Sequence, residues 1–202
     1  MADETIRTFV AIELPHEVRR ELADLIMLLK ARVTSPDIKW VSPDSIHITL
    51  KFLGNVSVSQ INAIRDCLLP VCAASRPVRL RTAGLGAFPA SRSPRVLWAG
   101  LEGDTAVLGE MSRSIDRALA PIGFAAETRA FTPHLTLARV RPGTSAETSA
   151  AISHAIDTIP AGGCSAFDAN AAAIMRSRLT PAGAVYSRLA SLAFHSTVDK
   201  DL

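Results

Sequence analysis

One tetrapeptide pattern occurs twice in this sequence and constrains the fold more than any other feature. His47-Ile48-Thr49-Leu50 and His134-Leu135-Thr136-Leu137 both read histidine, aliphatic, threonine, aliphatic. Side chains two residues apart share one face of a β-strand. Each copy therefore places an imidazole and a hydroxyl on one face and two aliphatic side chains on the other. We predict two strands, each packed on the core through its aliphatic face.

The positions of the two copies constrain the organisation of the chain. One copy lies in the N-terminal half and the other in the C-terminal half. Their polar faces meet only if the two halves face one another across a cleft. Because each half also carries further strand and helix patterns, we expect an α+β fold with two similar lobes, formed by one domain over residues 1–202.

Hydrophobic periodicity predicts the remaining elements. Predicted strands cover residues 7–14, 38–41, 46–53, 78–81, 95–100, 134–140, 164–179 and 185–194. Predicted helices follow Pro15 and Ser57 and cover residues 104–119 and 145–159. The first helix has one apolar stripe, formed by Val18, Leu22, Leu25, Ile26 and Leu29. Pro70 is expected to end or kink the second helix. The loop 88–94 is either a rim of the cleft or an ordinary connection.

Composition limits the class of protein. The chain has 202 residues, of which 48% are hydrophobic, enough for one core or two small lobes. A net charge of +3 and a pI of about 9.0 permit a phosphate-bearing partner without requiring one. The acidic N-terminus does not resemble a secretory signal, and no apolar run is long enough to span a membrane. We expect a cytoplasmic protein, monomeric by default.

The three cysteines follow no zinc-binding pattern. Cys67, Cys72 and Cys164 are odd in number and lie in no Cys-x-x-Cys or Cys/His array. We expect free thiols in a reducing compartment. The sequence also has no His-Glu-x-x-His motif, no glycine-rich phosphate loop and no acidic cluster beside either tetrapeptide. Neither a metal nor a cofactor is expected.

Two imidazoles and two hydroxyls suit displacement at phosphorus. Near neutral pH, one histidine can accept a proton while a second donates one. Threonine hydroxyls can hold the non-bridging oxygens of a phosphate as negative charge builds. One such tetrapeptide alone is a weak signal, because a half-buried strand histidine explains it equally well. Two matched copies favour a catalytic pair, His47 and His134, with Thr49 and Thr136 as substrate-binding residues. The other histidines, His16, His154 and His195, are interpreted as surface or packing residues.

The sequence resembles the two-histidine (2H) phosphoesterase superfamily, and specifically its bacterial and archaeal RNA 2′,3′-cyclic phosphodiesterases, formerly called 2′-5′ RNA ligases. The resemblance covers nearly the whole chain. Beside the two tetrapeptides, it is carried by the segments 7–12, 39–43, 51–54, 86–89, 94–98, 131–133, 138–139 and 177–183, and by Tyr186.

The resemblance implies a fold, a reaction and a role for each histidine. The fold would be two pseudo-symmetric lobes, each an antiparallel sheet with outer helices, around a central cleft. The reaction would be hydrolysis of a terminal RNA 2′,3′-cyclic phosphate to a 2′-phosphate, with His47 as the proton donor and His134 as the proton acceptor. The family also joins tRNA halves through a 2′-5′ linkage. Because water is present at roughly 55 M, we expect hydrolysis to prevail over ligation.

Several aromatic and cationic residues are candidates for the cleft wall, and each is also explained by the core or by solvated surface. Strand parity places Arg139 on the face opposite His134 unless a bulge intervenes, so Arg139 is left out of the predicted site. The candidates are Phe9, Arg92, Arg95, Trp98, Arg129, Arg139, Tyr186 and Arg188.

Two other functions remain open. The chain could be a phosphodiesterase for a small cyclic phosphate, which a narrow cleft without surrounding cations would favour. It could also be a nucleotide- or RNA-binding module that keeps the fold without catalysis, since function resides in sites rather than folds. The presence of both histidines argues against the second alternative.

Overall fold

The computed structural model describes residues 3–89, 93–160, 165–180 and 183–195. The strands are β1 (Thr5–Glu13), β2 (Ile38–Trp40), β3 (His47–Ser57), β4 (Val78–Phe88), β5 (Val96–Gly103), β6 (His134–Val140), β7 (Phe167–Ala169), β8 (Ala171–Thr180) and β9 (Gly183–Ala193). The helices are α1 (His16–Arg32), α2 (Ile61–Ala73), α3 (Thr105–Leu119) and α4 (Ala146–Thr158). No helix among these residues is both long and apolar enough to cross a bilayer.

All of the described strand pairs are antiparallel, and they follow one path through the molecule. The order is β7-β4-β5-β6-β3-β1-β8-β9, with β2 paired to β6 beside the start of β3. The two motif strands, β3 and β6, are neighbours at the centre of this path. One lobe consists of β1, β3, β8 and β9, and the other of β4, β5, β6 and β7. This arrangement confirms the predicted α+β fold with two lobes.

The lobes do not coincide with the two halves of the chain. The predicted strand 164–179 is wrong as one element, because the chain forms two strands separated at Asn170. β7 pairs with β4 in the second lobe, whereas β8 pairs with β1 in the first. The C-terminal hairpin β8–β9 therefore belongs to the same lobe as the N-terminal strand β1. Cys164 lies outside the described residues, and Cys67 and Cys72 are free thiols.

The helices cover the outer faces of the sheet through the stripes that periodicity predicted. The buried residues of α1 are the five predicted ones. α2 packs against β8, β9 and α3, while α3 also contacts β3 and α4 contacts β4. Pro70 does not end α2, which continues to Ala73. A proline within three residues of a helix C-terminus loses one hydrogen bond near a turn that frays easily, which explains why the helix continues past it.

A buried ion pair ties β3 to the helix that packs on it. The Lys51 ammonium contacts the Asp116 carboxylate on α3 and donates a hydrogen bond of 2.7 Å to the Ala125 carbonyl. The side chains of the ion pair are only 5% and 13% exposed. Asp116 also accepts a hydrogen bond from the Glu127 backbone N–H. The pair therefore joins β3, α3 and the start of the segment that leads to the second motif.

We expect Lys51→Met to destabilise the protein by about 3–5 kcal/mol, because it leaves the Asp116 carboxylate buried without its cation. The double variant Lys51→Met, Asp116→Leu should recover much of that loss, because it removes both buried charges. The free energy of unfolding from urea titration measures both effects. The control is Arg65→Met, since the Arg65–Asp66 pair is exposed and should contribute less than about 1 kcal/mol. An equal cost for Lys51→Met and Arg65→Met would contradict this account.

Candidate functional site

The two motif strands meet at one position. Ile48 of β3 pairs with Leu135 of β6 in antiparallel register, and both residues hold the second place in their tetrapeptides. Continuing that register by one residue in each direction sets the histidine of each motif opposite the threonine of the other. Four polar side chains therefore converge on one face of the sheet. By that extension, His47 lies opposite Thr136 and His134 lies opposite Thr49.

The opposite face of each motif is packed into the core, as strand alternation predicted. Ile48, Leu135 and Leu137 are fully buried, and Leu50 is 4% exposed. The histidines and threonines are partly exposed. The sheet thus holds these four side chains in fixed positions, and they remain accessible from the cleft.

Each histidine ring is held by the backbone carbonyl two residues before it. Nδ1 of His47 lies 2.8 Å from the Ser45 carbonyl oxygen, and Nδ1 of His134 lies 2.8 Å from that of Thr132. Because a carbonyl oxygen only accepts, Nδ1 is the donor in both rings. Nε2 is then the nitrogen left to accept or donate a proton in the cleft.

Aromatic side chains flank the His47 ring. Its centroid lies 4.7 Å from that of Phe9 and 5.1 Å from that of Tyr186, which meets it edge-on. Phe9 itself is buried with Ala11, Ala173 and Met175 in a small cluster separate from the main core. Sequence reasoning named Phe9 and Tyr186 as candidates for the cleft wall, and both contact the first motif.

A second aromatic pair flanks His134. Phe88 meets the ring edge-on at a centroid distance of 5.1 Å, and Trp98 lies at 6.4 Å. The indole of Trp98 packs flat against Gly86, where any β-carbon would overlap the ring. Trp98 was predicted as an individual candidate, whereas Phe88 was predicted only as part of the possible rim loop 88–94. Residues 90–92 of that loop, including Arg92, lie outside the described residues.

A β-bulge occurs at the same place in both motifs. Consecutive residues of β1 pair with the residues on either side of Leu50, so Leu50 is the extra residue on β3. Consecutive residues of β5 likewise pair on either side of Leu137. A bulge reverses the alternation of side chains. The fifth residue after each histidine, Phe52 in one motif and Arg139 in the other, therefore lies on the same face as the histidine.

The prediction that Arg139 lies away from the site is wrong, because the bulge at Leu137 intervenes. Arg139 pairs with Val96 and shares the face of Trp98 and His134. The sequence indicates the bulge weakly, because Leu137 and Ala138 are adjacent apolar residues where strict alternation requires a polar one. Both are fully buried.

Burial and nearby positive charge both act against protonation of the two histidines. Burial is the largest cause that lowers the pKa of His47, and the charges of Arg139 and His134 lower it further. Burial also lowers the pKa of His134, again with a contribution from Arg139. The hydrogen bonds to Ser45 and Thr132 oppose these shifts without cancelling them. Both rings therefore favour the neutral form at neutral pH.

Glu13 distinguishes the two histidines. It pairs with His47 across β1 and β3, and its charge raises the pKa of His47 against the stronger effects of burial. No carboxylate has a comparable effect on His134 among the described residues. Glu13 also accepts a hydrogen bond of 2.9 Å from Arg188. Sequence reasoning missed Glu13, because its position opposite His47 depends on the register between two strands.

The remaining candidates, Arg95 and Arg129, contribute to neither histidine's pKa shift. Arg95 donates a hydrogen bond to the Val140 carbonyl at 3.3 Å, and Arg129 is exposed on the segment before β6. The three histidines predicted to be surface or packing residues are all exposed. Among the described residues, no three His, Cys, Asp or Glu side chains form a group able to hold a metal ion.

Comparison with known proteins gives one consistent result. The chain matches the family described as LigT like Phosphoesterase over residues 12–98 and 102–186. It is 30% identical to the RNA 2′,3′-cyclic phosphodiesterase of Methanocaldococcus jannaschii, over 90% of this chain and 96% of the relative. It is 29% identical to the protein of the same name from Methanothermobacter thermautotrophicus, over 90% and 95%. A crystal structure of a Thermus thermophilus protein superposes with a TM-score of 0.78, at 24% identity over 95% of this chain and all of the other.

We expect Arg139→Gln to raise the pKa of both His47 and His134, because the guanidinium charge lowers both. Titration of the imidazole resonances by NMR measures the two values separately. The matched control is Arg141→Gln, which removes the same charge from a residue that affects neither histidine's pKa. Equal rises in the two variants would indicate a general effect of net charge and would contradict a local role for Arg139.

Proposed function

Since this chain belongs to the LigT-like phosphoesterase family, we propose that it hydrolyses the 2′,3′-cyclic phosphate at the 3′ end of an RNA to a 2′-phosphate. His47 is the proton donor and His134 the proton acceptor, and the reaction needs no metal ion. The observation that carries the proposal is the pairing of Ile48 with Leu135. That pairing gathers both imidazoles and both threonine hydroxyls on one face.

The proposed reaction follows from what these groups can do. Nε2 of His134 removes a proton from water, which attacks phosphorus from the His134 side. The bond to the 3′ oxygen breaks, and His47 protonates that oxygen as it leaves. The hydroxyls of Thr49 and Thr136 donate hydrogen bonds to the non-bridging oxygens, where negative charge increases in the transition state.

The charges around the site support this division of labour. The donor must hold its proton until the leaving oxygen needs it, and Glu13 favours the protonated form of His47, against the larger effect of burial. The acceptor must be neutral beforehand, and His134 has no such carboxylate among the described residues. Arg139 offers a fixed cation to the phosphate, since guanidinium groups bind phosphate oxygens through paired hydrogen bonds.

The same acid and base would also serve ligation, in which a ribose hydroxyl replaces water as the nucleophile. Hydrolysis requires only water, which is always present, whereas ligation requires two RNA ends held together in the cleft. We therefore propose hydrolysis as the working activity. Ligation of tRNA halves would be a secondary activity.

We expect His47→Ala and His134→Ala each to lower kcat by at least about 100-fold, the usual contribution of a positioned general acid or base. The assay is conversion of an oligoribonucleotide ending in a 2′,3′-cyclic phosphate, in the presence of EDTA, with the product identified by mass spectrometry and phosphatase digestion. The variant His154→Ala, which changes an exposed histidine on α4, serves as the control. Release of a 3′-phosphate would show that the 2′ oxygen, and not the 3′ oxygen, is the leaving group. Binding without turnover by the wild type would indicate a nucleotide-binding module.

We expect Glu13→Gln to move the alkaline limb of the kcat/KM profile to lower pH. Loss of the carboxylate removes a charge that raises the pKa of His47, so the donor loses its proton at a lower pH. The acidic limb, set by protonation of His134, should stay in place. Glu102→Gln is the control, because that carboxylate pairs with Arg81 instead. Movement of the acidic limb instead would assign the donor role to His134.

A further inference from the structure

Lys39 and Arg139 form a pair of like charges on the cleft face. β2 and β6 are antiparallel, and Lys39 is the partner of Arg139 between them. Residues directly opposite each other on neighbouring strands project from the same face. Because the bulge at Leu137 turns Arg139 toward the histidines, Lys39 lies on that face as well.

No carboxylate neutralises this pair within the described residues. The ion pairs of that part of the chain include neither Lys39 nor Arg139, and both residues are exposed. Like charges directly opposite each other destabilise a sheet. A polyanion that binds both cations would relieve this repulsion, whereas a single small phosphate needs only one of them.

The two cations lie at different depths relative to the reacting groups. The charge of Arg139 lowers the pKa of both histidines, whereas Lys39 contributes to neither shift. The end of the Lys39 side chain lies near the β8–β9 hairpin, because its Cε and Nζ atoms are 3.7 and 3.9 Å from where a β-carbon on Gly183 would stand. Arg139 therefore serves the reacting phosphate, whereas the Lys39 ammonium lies toward the β8–β9 hairpin.

We propose that Lys39 binds the phosphodiester that precedes the terminal nucleotide, so that the site selects oligoribonucleotides over mononucleotide 2′,3′-cyclic phosphates. This inference rests on the proposed hydrolysis of cyclic phosphate. The Lys39 ammonium is a point charge on a flexible four-carbon side chain, so it can bind the RNA backbone without recognising the base sequence. The preference should therefore depend on the charge of the linkage and not on the bases.

The test compares a cyclic-phosphate mononucleotide with a dinucleotide that ends in the same cyclic phosphate. We expect Lys39→Ala to lower kcat/KM for the dinucleotide by about 5- to 10-fold and to change kcat/KM for the mononucleotide by less than about 2-fold. Lys39→Arg should retain most of the activity on the dinucleotide. The salt dependence of log kcat/KM for the dinucleotide should weaken by a slope of about 0.7 in Lys39→Ala. Lys30→Ala, which removes an exposed lysine from α1, should change none of these values.

A neutral linkage identifies the group that Lys39 binds. With a dinucleotide whose internal linkage is an uncharged methylphosphonate, wild-type kcat/KM should fall to the level of Lys39→Ala, and Lys39→Ala should cause no further loss. Equal losses on the mononucleotide and the dinucleotide would overturn the inference, as would an unchanged effect of Lys39→Ala on the neutral linkage. Failure of the wild type to hydrolyse either substrate would instead refute the proposed function itself.

Discussion

The pairing of Ile48 with Leu135 is the constraint on which the site depends. It joins equivalent positions of the two motifs, so a local two-fold axis passes between them and relates the histidine of one strand to that of the other. Both side chains are fully buried, which fixes the register, because a slip of either strand by one residue would turn the polar face of its motif into the core. The two motifs are therefore adjacent in space although they are far apart along the chain. The buried Lys51–Asp116 pair supports the same junction from behind.

The backbones of the two motifs are equivalent as far as the bulges, but the side chains that follow the bulges differ. Leu50 and Leu137 are extra residues at equivalent positions, and each bulge turns the fifth residue after the histidine into the cleft. In one motif that residue is Phe52, 63% exposed, and in the other it is Arg139. Although the backbone repeats, the cleft therefore has an apolar residue on one side and a cationic residue on the other. A substrate with a base at one end and a phosphate at the other matches such a cleft better than a symmetric molecule does.

The sequence predicted the elements that depend on local patterns. β6 has the predicted bounds, and the buried stripe of α1 consists of the predicted residues. What failed depended on partners distant in the chain. The break at Asn170 exists because the segments on its two sides pair with different lobes, and the orientation of Arg139 depends on an extra residue defined only against β5. Glu13 became part of the site through its register with His47, which no periodicity within β1 encodes.

The proposed acid–base catalysis by two equivalent histidines requires that their equivalence be broken. Both rings donate Nδ1–H to a carbonyl two residues earlier, at the same distance of 2.8 Å, so the backbone alone would give them the same protonation state. Arg139 acts on both and does not separate them, whereas Glu13 acts on His47. In the proposed reaction, a bound phosphate would add negative charge near both rings and raise the affinity of both for a proton. The Glu13 carboxylate favours a proton on His47 alone, although burial and the neighbouring positive charges oppose it there. Charges that act on only one ring, such as the Glu13 carboxylate, thus make unequal two residues that the backbone treats alike.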